Sequence, residues 1–189
     1  MLLDASQSRP MEGGPSFSLG NRVFRLFWIL SWTVLARWTP PPLHWWRRLV
    51  LCFFGARIHP TARIHASVRV WYPPHLEVGE NTTIGPRVIC YCQDRITIGD
   101  RAIVSQGAHL CAGSHDISDE RFQLITKPIV IEDRAWIAAE CFVGPGVKIG
   151  EGAVLGARGV AFKDLSPWTV YVGNPAQRIK ARTIQAKRR

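Results

Sequence analysis

From residue 58 to residue 161 an aliphatic side chain recurs every six positions, a period that very few folds can accommodate. The slots are Ile58, Ile64, Val70; Val78, Ile84, Cys90; Ile98, Val104, Leu110; Ile131, Ile137, Val143; and Ile149, Leu155, Ala161. Thirteen of the fifteen are Ile, Leu or Val. Taken in threes they define five coils of eighteen residues, with extra residues only between coils. Two extras fall at Leu76 and Glu77, two at Ile96 and Thr97, and fifteen at residues 116–130. A helix repeats every 3.6 residues and a strand every two, so neither explains the pattern. Six-residue self-similarity is the signature of a parallel β-helix.

The positions between the slots agree with triangular coils. Gly79, Gly85, Gly99, Gly144, Gly150 and Gly156 each follow a slot directly, where a Cβ would obstruct a tight turn. Four residues after most slots comes a small or short-branched side chain, such as Ala62, Thr82, Ala102, Ala135 or Ala153, as narrow corners require. Pro74, Asp94 and Leu165 depart from that rule. Five coils at ordinary strand spacing make a prism about 24 Å tall.

Four segments follow from this reading. Residues 1–16 are polar and Gly/Pro-containing and are expected to be disordered, without the features of a cleavable signal. Residues 17–57 hold five of the eight tryptophans and read as a helical hairpin. Its first helix, over residues 23–36, places Trp28 and Trp32 on one face and ends before Pro40, Pro41 and Pro42. The second, over residues 43–54, is expected to set Trp45, Trp46, Leu49, Val50 and Phe53 on one side and Arg47 and Arg48 opposite. Residues 58–166 form the β-helix, and residues 167–189 a basic extension. The apolar run after Arg25 is too short to cross a bilayer of about 30 Å. Two roles for the hairpin stay open: a cover for the end of the prism, or a membrane-interface element.

The net charge of +10 implies attraction to anions, and no nucleic-acid motif accompanies it. The odd count of five cysteines, several on repeat slots, suits small buried hydrophobes in a reducing compartment. Function is expected in the long interruption between the third and fourth coils, since a loop of that length without a repeat of its own is commonly a binding element. His115 stands at its root, between Ser114 and Asp116, and an imidazole there can take a proton from an attacking hydroxyl.

Several segments resemble the hexapeptide-repeat acyltransferases. They are residues 131–137 (Ile-Glu-Asp-Arg-Ala-Trp-Ile), residues 143–152 around Gly144, Pro145 and Gly146, Leu155-Gly156-Ala157-Arg158, Lys163-Asp164, and Gly173-Asn174-Pro175-Ala176. The pattern is similar to the maltose/galactoside and nodulation O-acetyltransferase branch. Phe17-Ser18-Leu19, residues 103–108 and Ser114-His115-Asp116 resemble its colanic-acid subgroup. The resemblance implies a left-handed parallel β-helix. It also implies an acetyl-CoA-dependent O-acetyltransferase acting on a sugar hydroxyl in exopolysaccharide biosynthesis, working as a homotrimer without metal. In those terms His115 is the general base. Trp136, Ala139, Gly156, Ala157, Lys163, Pro175, Lys180 and Arg182 serve acetyl-CoA. Asp94 and Asp116 hold a carbohydrate acceptor that can be lipid-linked, in the cytoplasm or at the inner face of the membrane. The branch's Asp-Asp pair for galactosides is reduced here to Asp94, which argues against a simple galactoside. Two other functions share the coil architecture: a non-catalytic scaffold that binds a membrane or partner, and a zinc hydrolyase of the carbonic-anhydrase kind. The second needs three convergent histidines, whereas His109 and His115, six apart, would sit on successive walls.

Overall fold

The structure, a computed structural model, describes residues 2–184; Lys187, Arg188 and Arg189 of the basic extension lie outside the described residues. Three parallel sheets form the walls of a prism. The first wall stacks Arg57–Ile58, Leu76–Val78, Ile96–Ile98, Ile129–Ile131 and Lys148–Ile149. The second stacks Arg63–Ile64, Thr83–Ile84, Ile103–Val104, Trp136–Ile137, Val154–Leu155 and Thr169–Val172, with Gln177–Ala181 added antiparallel at its edge. The third stacks Arg69–Val70, Ile89–Tyr91, His109–Cys111, Phe142–Val143 and Val160–Ala161. Every slot residue named above points inward and is buried. At about 25 cal/mol per Å² of apolar surface, this continuous column dominates the stability of the fold.

Three details differ from the expectation. First, the two-residue extras sit at corners, because Leu76 pairs with Ile96 and Ile96 with Ile129 inside the first wall. One is a 3-10 turn, Pro73–His75, where two prolines cannot continue a ladder. The other lies at the bend after Cys92. Second, there are about six turns rather than five. Leu165 bridges to Ile149, and Val170 and Tyr171 pair with Val154 and Leu155. The step from the fifth turn to this sixth one is only sixteen residues, which hid it from an eighteen-residue template. Third, Gly99 owes its identity to stacking: an added Cβ would lie 2.8 Å from the Asp133 amide of the next coil.

Helix α1 (Ala5–Ser8) lies in the segment expected to be disordered. Asp4 caps it, and Gln123 Oε1 accepts from the Ala5 amide at 2.6 Å, which ties this segment to the long interruption. Helices α2 (Leu19–Leu35) and α3 (His44–Phe53) cover the start of the prism. The amides of the first coil donate to the second, so its carbonyls point away from the prism. The hairpin meets one on each wall. Arg48 Nε donates to Ile58 O at 2.9 Å, Arg47 Nε to Ile64 O at 2.7 Å, and Trp28 Nε1 to Val70 O at 2.7 Å.

This arrangement overturns the expected facing of α3. Arg47 is wholly buried, while Trp45, Leu49 and Phe53 face out. The guanidinium also donates to Thr39 Oγ1, Pro40 O and Pro41 O, so its burial is compensated by neutral acceptors. Desolvation lowers its pKa from the ordinary value.

Candidate active site

After Cys111 the chain leaves the third wall and builds an antiparallel hairpin, Gly113–His115 against Leu124–Thr126. The interruption therefore has regular structure of its own. Backbone bonds anchor its base, from Ala112 N to Tyr91 O at 3.2 Å and from Lys127 N to Ala112 O at 3.0 Å. Gly113 packs directly on the Gln93 side chain, which would have to move to admit a Cβ there. Gln93 is itself buried and donates from Nε2 to the Tyr91 hydroxyl at 3.2 Å. Leu124 is buried and turns the hairpin onto the body of the protein.

The hairpin fixes both the position and the tautomer of His115. Its ring stacks on Phe122, with centroids 4.3 Å apart and planes 12° from parallel. Nδ1 lies 2.8 Å from the Phe122 carbonyl oxygen. A carbonyl can only accept, so Nδ1 carries the hydrogen and Nε2 presents its lone pair. That is the form a general base needs, on a partly exposed side chain. Nothing in the sequence marked Phe122 as the partner. The only available signal was the β-favouring run Leu124, Ile125, Thr126 opposite Gly113, Ser114, His115.

The other expected site residues fall into separate groups. Ala139, Gly156 and Ala157 share the corner between the second and third walls, where Arg158 N donates to Ala139 O at 2.9 Å. Trp136 lies on the second wall, 42% exposed, and its Nε1 donates to Ser105 Oγ at 3.0 Å. Lys163 is exposed just beyond the third wall, and Lys180 is exposed on the antiparallel edge strand. Pro175 follows a cis peptide bond in the turn before that strand. Arg182 is committed to the fold, donating to Arg134 O at 2.9 Å and Gly152 O at 2.8 Å. Within one chain, then, His115 and Trp136 are carried by different parts of the prism and do not form one cluster. Asp94 and Asp116 each accept a local backbone bond, from Arg95 N at 2.7 Å and Ser118 N at 2.9 Å.

The remaining reactive groups are spoken for. All five cysteines are free thiols. Burial pushes the Cys90 thiol well up and that of Cys92 up to about 11, which keeps both protonated and unreactive. His109 lies on the third wall and His115 on the hairpin, so they do not occupy successive walls. Among the described residues no group of three or more His, Cys, Asp or Glu is placed to hold a metal ion.

No family model matches the chain. Over 167 residues it is 41% identical to WcaF of Escherichia coli (strain K12), a protein named for colanic acid biosynthesis acetyltransferase activity. The match covers 88% of this chain and 91% of that one. The chain belongs to the hexapeptide-repeat acetyltransferases. It is an acyl-transferring enzyme of that family. The fold agrees: the Vibrio cholerae hexapeptide-repeat acetyltransferase VCA0836, solved with acetyl coenzyme A, superposes with a TM-score of 0.78 at 23% identity. That likeness covers 90% of this chain and 93% of the other. A galactoside acetyltransferase solved with coenzyme A gives 0.77 at 22% identity over 90% and 86%. The parallel β-helix of about six turns in this chain matches the left-handed β-helix acetyltransferases.

Proposed function

We propose that this acetyltransferase moves the acetyl group of acetyl-CoA to a hydroxyl of a carbohydrate acceptor in exopolysaccharide biosynthesis, with His115 as general base. The observation that carries the reading is the hydrogen bond from His115 Nδ1 to the Phe122 carbonyl, which leaves Nε2 free to receive a proton. In the reaction Nε2 takes the hydroxyl proton as the oxygen attacks the thioester carbonyl. The C–S bond breaks, and the imidazolium returns the proton to the departing thiolate. Backbone amides stabilise the oxyanion, and holding both substrates together supplies orientation.

In this proposal Trp136, Ala139, Gly156 and Ala157 line the channel for the pantetheine arm. Lys163, Pro175 and Lys180 meet the nucleotide end, and Arg182 contributes charge while keeping its carbonyl contacts. The separation of Trp136 from His115 within one chain favours a homotrimer, in which the hairpin of one copy faces the second wall of the next. Asp94 and Asp116 lie on the acceptor side. The enzyme works in the cytoplasm, where its thiols stay reduced, with α2 touching the inner face of the membrane. Val23, Leu26, Phe27, Leu30 and Val34 are exposed along α2 and support that contact. No described helix is long and apolar enough to cross a membrane.

Calorimetric titration with acetyl-CoA, beside thiol release in the presence of glycans, tests the reading. We expect micromolar binding, one site per chain, in the wild type and in His115→Ala, with turnover lost only in the variant. Absence of binding at millimolar acetyl-CoA would reject it.

A further inference from the structure

A cavity of about 240 Å³ opens beside the start of α2, lined by Gly13, Pro15, Ser16, Phe17, Arg22 and Arg25. That volume is below the ~300–1,000 Å³ usual for drug-sized ligands and suits one small group. Its chemistry is one-sided. Among the described residues neither Arg22 nor Arg25 forms an ion pair, whereas Arg57 and Arg95 pair with Glu77 and Lys148 with Glu132 along the first wall. Arg25 is partly buried. Its guanidinium lies 4.2 Å from the centroid of the Trp71 ring, and its Nε donates to Asn21 Oδ1 at 3.0 Å. Phe17 packs on the same indole at 4.7 Å. Desolvation lowers the pKa of Arg25 from its ordinary value, with Tyr91 opposing the shift and the neighbouring Arg22 adding to it.

The cavity is joined to the hairpin that carries His115. Trp71 contacts Tyr91 at 5.8 Å, and the Tyr91 hydroxyl accepts from Gln93, whose side chain packs on Gly113, two residues before His115. On the other side, Gln123 of the hairpin binds both Ala5 N and Leu3 O, so the N-terminal segment spans from the hairpin to the cavity. A purely structural arginine in this protein looks different: Arg47 has five oxygen acceptors besides its burial.

We infer that the acceptor carries an anionic group, a carboxylate or a phosphate attached to its sugar, and that Arg22 and Arg25 bind that group in this cavity. Guanidinium forks suit both anions, and aromatic walls hold the adjoining ring. The inference rests on the proposed transfer to a carbohydrate hydroxyl and specifies its substrate class.

The test is equilibrium titration of the full chain, in the presence of CoA, with three ligands: methyl β-D-glucopyranoside, methyl β-D-glucuronide and glucose 1-phosphate. At least one charged ligand should bind about tenfold or more tightly than the neutral one, as expected for a charge-assisted contact. The glucuronide and the phosphate tell the two anions apart. In Arg22→Gln/Arg25→Gln that preference should fall to about onefold while CoA binding stays unchanged. Should the double variant fail to fold, Arg22→Gln alone, at an exposed position, should still lower the preference severalfold. Charged ligands binding no better than the neutral one, or a preference that survives both substitutions, would overturn the inference. A lost CoA titration with the charge preference intact would instead defeat the transferase reading alone.

Discussion

The prism and the hairpin that interrupts it are built on opposite terms. In the coils the slot side chains are buried, aliphatic in every case but Cys90, and replaceable in kind, since their duty is to fill volume. In the hairpin most side chains are exposed, and its one ordered imidazole is held by a ring stack and a single carbonyl. The contrast shows how a rigid body can carry chemistry without sharing its stability with the reactive group. Changes in the hairpin should therefore cost rate, and changes in the coils should cost stability.

The sharpest separation is expected from His115→Ala. Loss of a general base lowers turnover by about 10²–10⁴-fold, while the thermal midpoint should stay unchanged, because the side chain is partly exposed and outside the core. Parallel kinetics and melting curves check this, and a large drop in melting temperature would erase the proposed division. The converse is Leu110→Ala on the third wall, where the side chain is wholly buried. It should destabilise by about 2–5 kcal/mol, with the activity of the folded fraction kept.

Arg47→Met probes the covered end of the prism. It removes the guanidinium donors to Ile64 O, Thr39 Oγ1, Pro40 O and Pro41 O, hydrogen bonds worth about 1 kcal/mol each, while Ile64 O keeps His44 Nδ1 as a neighbour and the carbonyls of the exposed Pro40 and Pro41 can turn to water. Denaturant unfolding should show a loss of about 2–4 kcal/mol, with turnover per folded molecule unaltered. The smallest effect is expected from pH. Burial lowers the pKa of His65 and His109 in the folded state. The unfolded chain then binds more protons below about pH 6.5, so stability is full above that value and declines as pH falls through it. Glu132, whose pKa is lowered mainly by its bond to Lys148, acts only below the ordinary carboxylate range and leaves this window clear. A melting temperature that rises between pH 7 and pH 5.5 would contradict the assignment.

The coils were legible because a six-residue period repeats one packing problem many times. The slots from Ile58 to Ala161 all proved to be interior. The sixth turn was not, since Leu165 and Tyr171 break the spacing that identified the others. The facing of α3 was misread for a physical reason. Arg47 finds its acceptors on Ile64, Thr39, Pro40 and Pro41, which only the folded chain gathers around it. At the site, the place and importance of His115 were visible, but its tautomer depends on a carbonyl seven residues away across a turn. The grouping of Arg25 with Trp71 joins residues 46 positions apart and left no local trace.

The three capped carbonyls of the first coil also bear on the order in which the protein is made. Early partners in the ladder lie twenty residues apart, as in Arg57 with Glu77 and Arg63 with Thr83. Each coil can thus close soon after it leaves the ribosome, on a template that is already complete. The hairpin of α2 and α3 emerges before any coil and offers that first template. The widest gap in the ladder, from Ile96 to Ile129, comes when three coils are already stacked. Synthesis from the N-terminus therefore meets the slowest loop closure only after a nucleus exists to receive it.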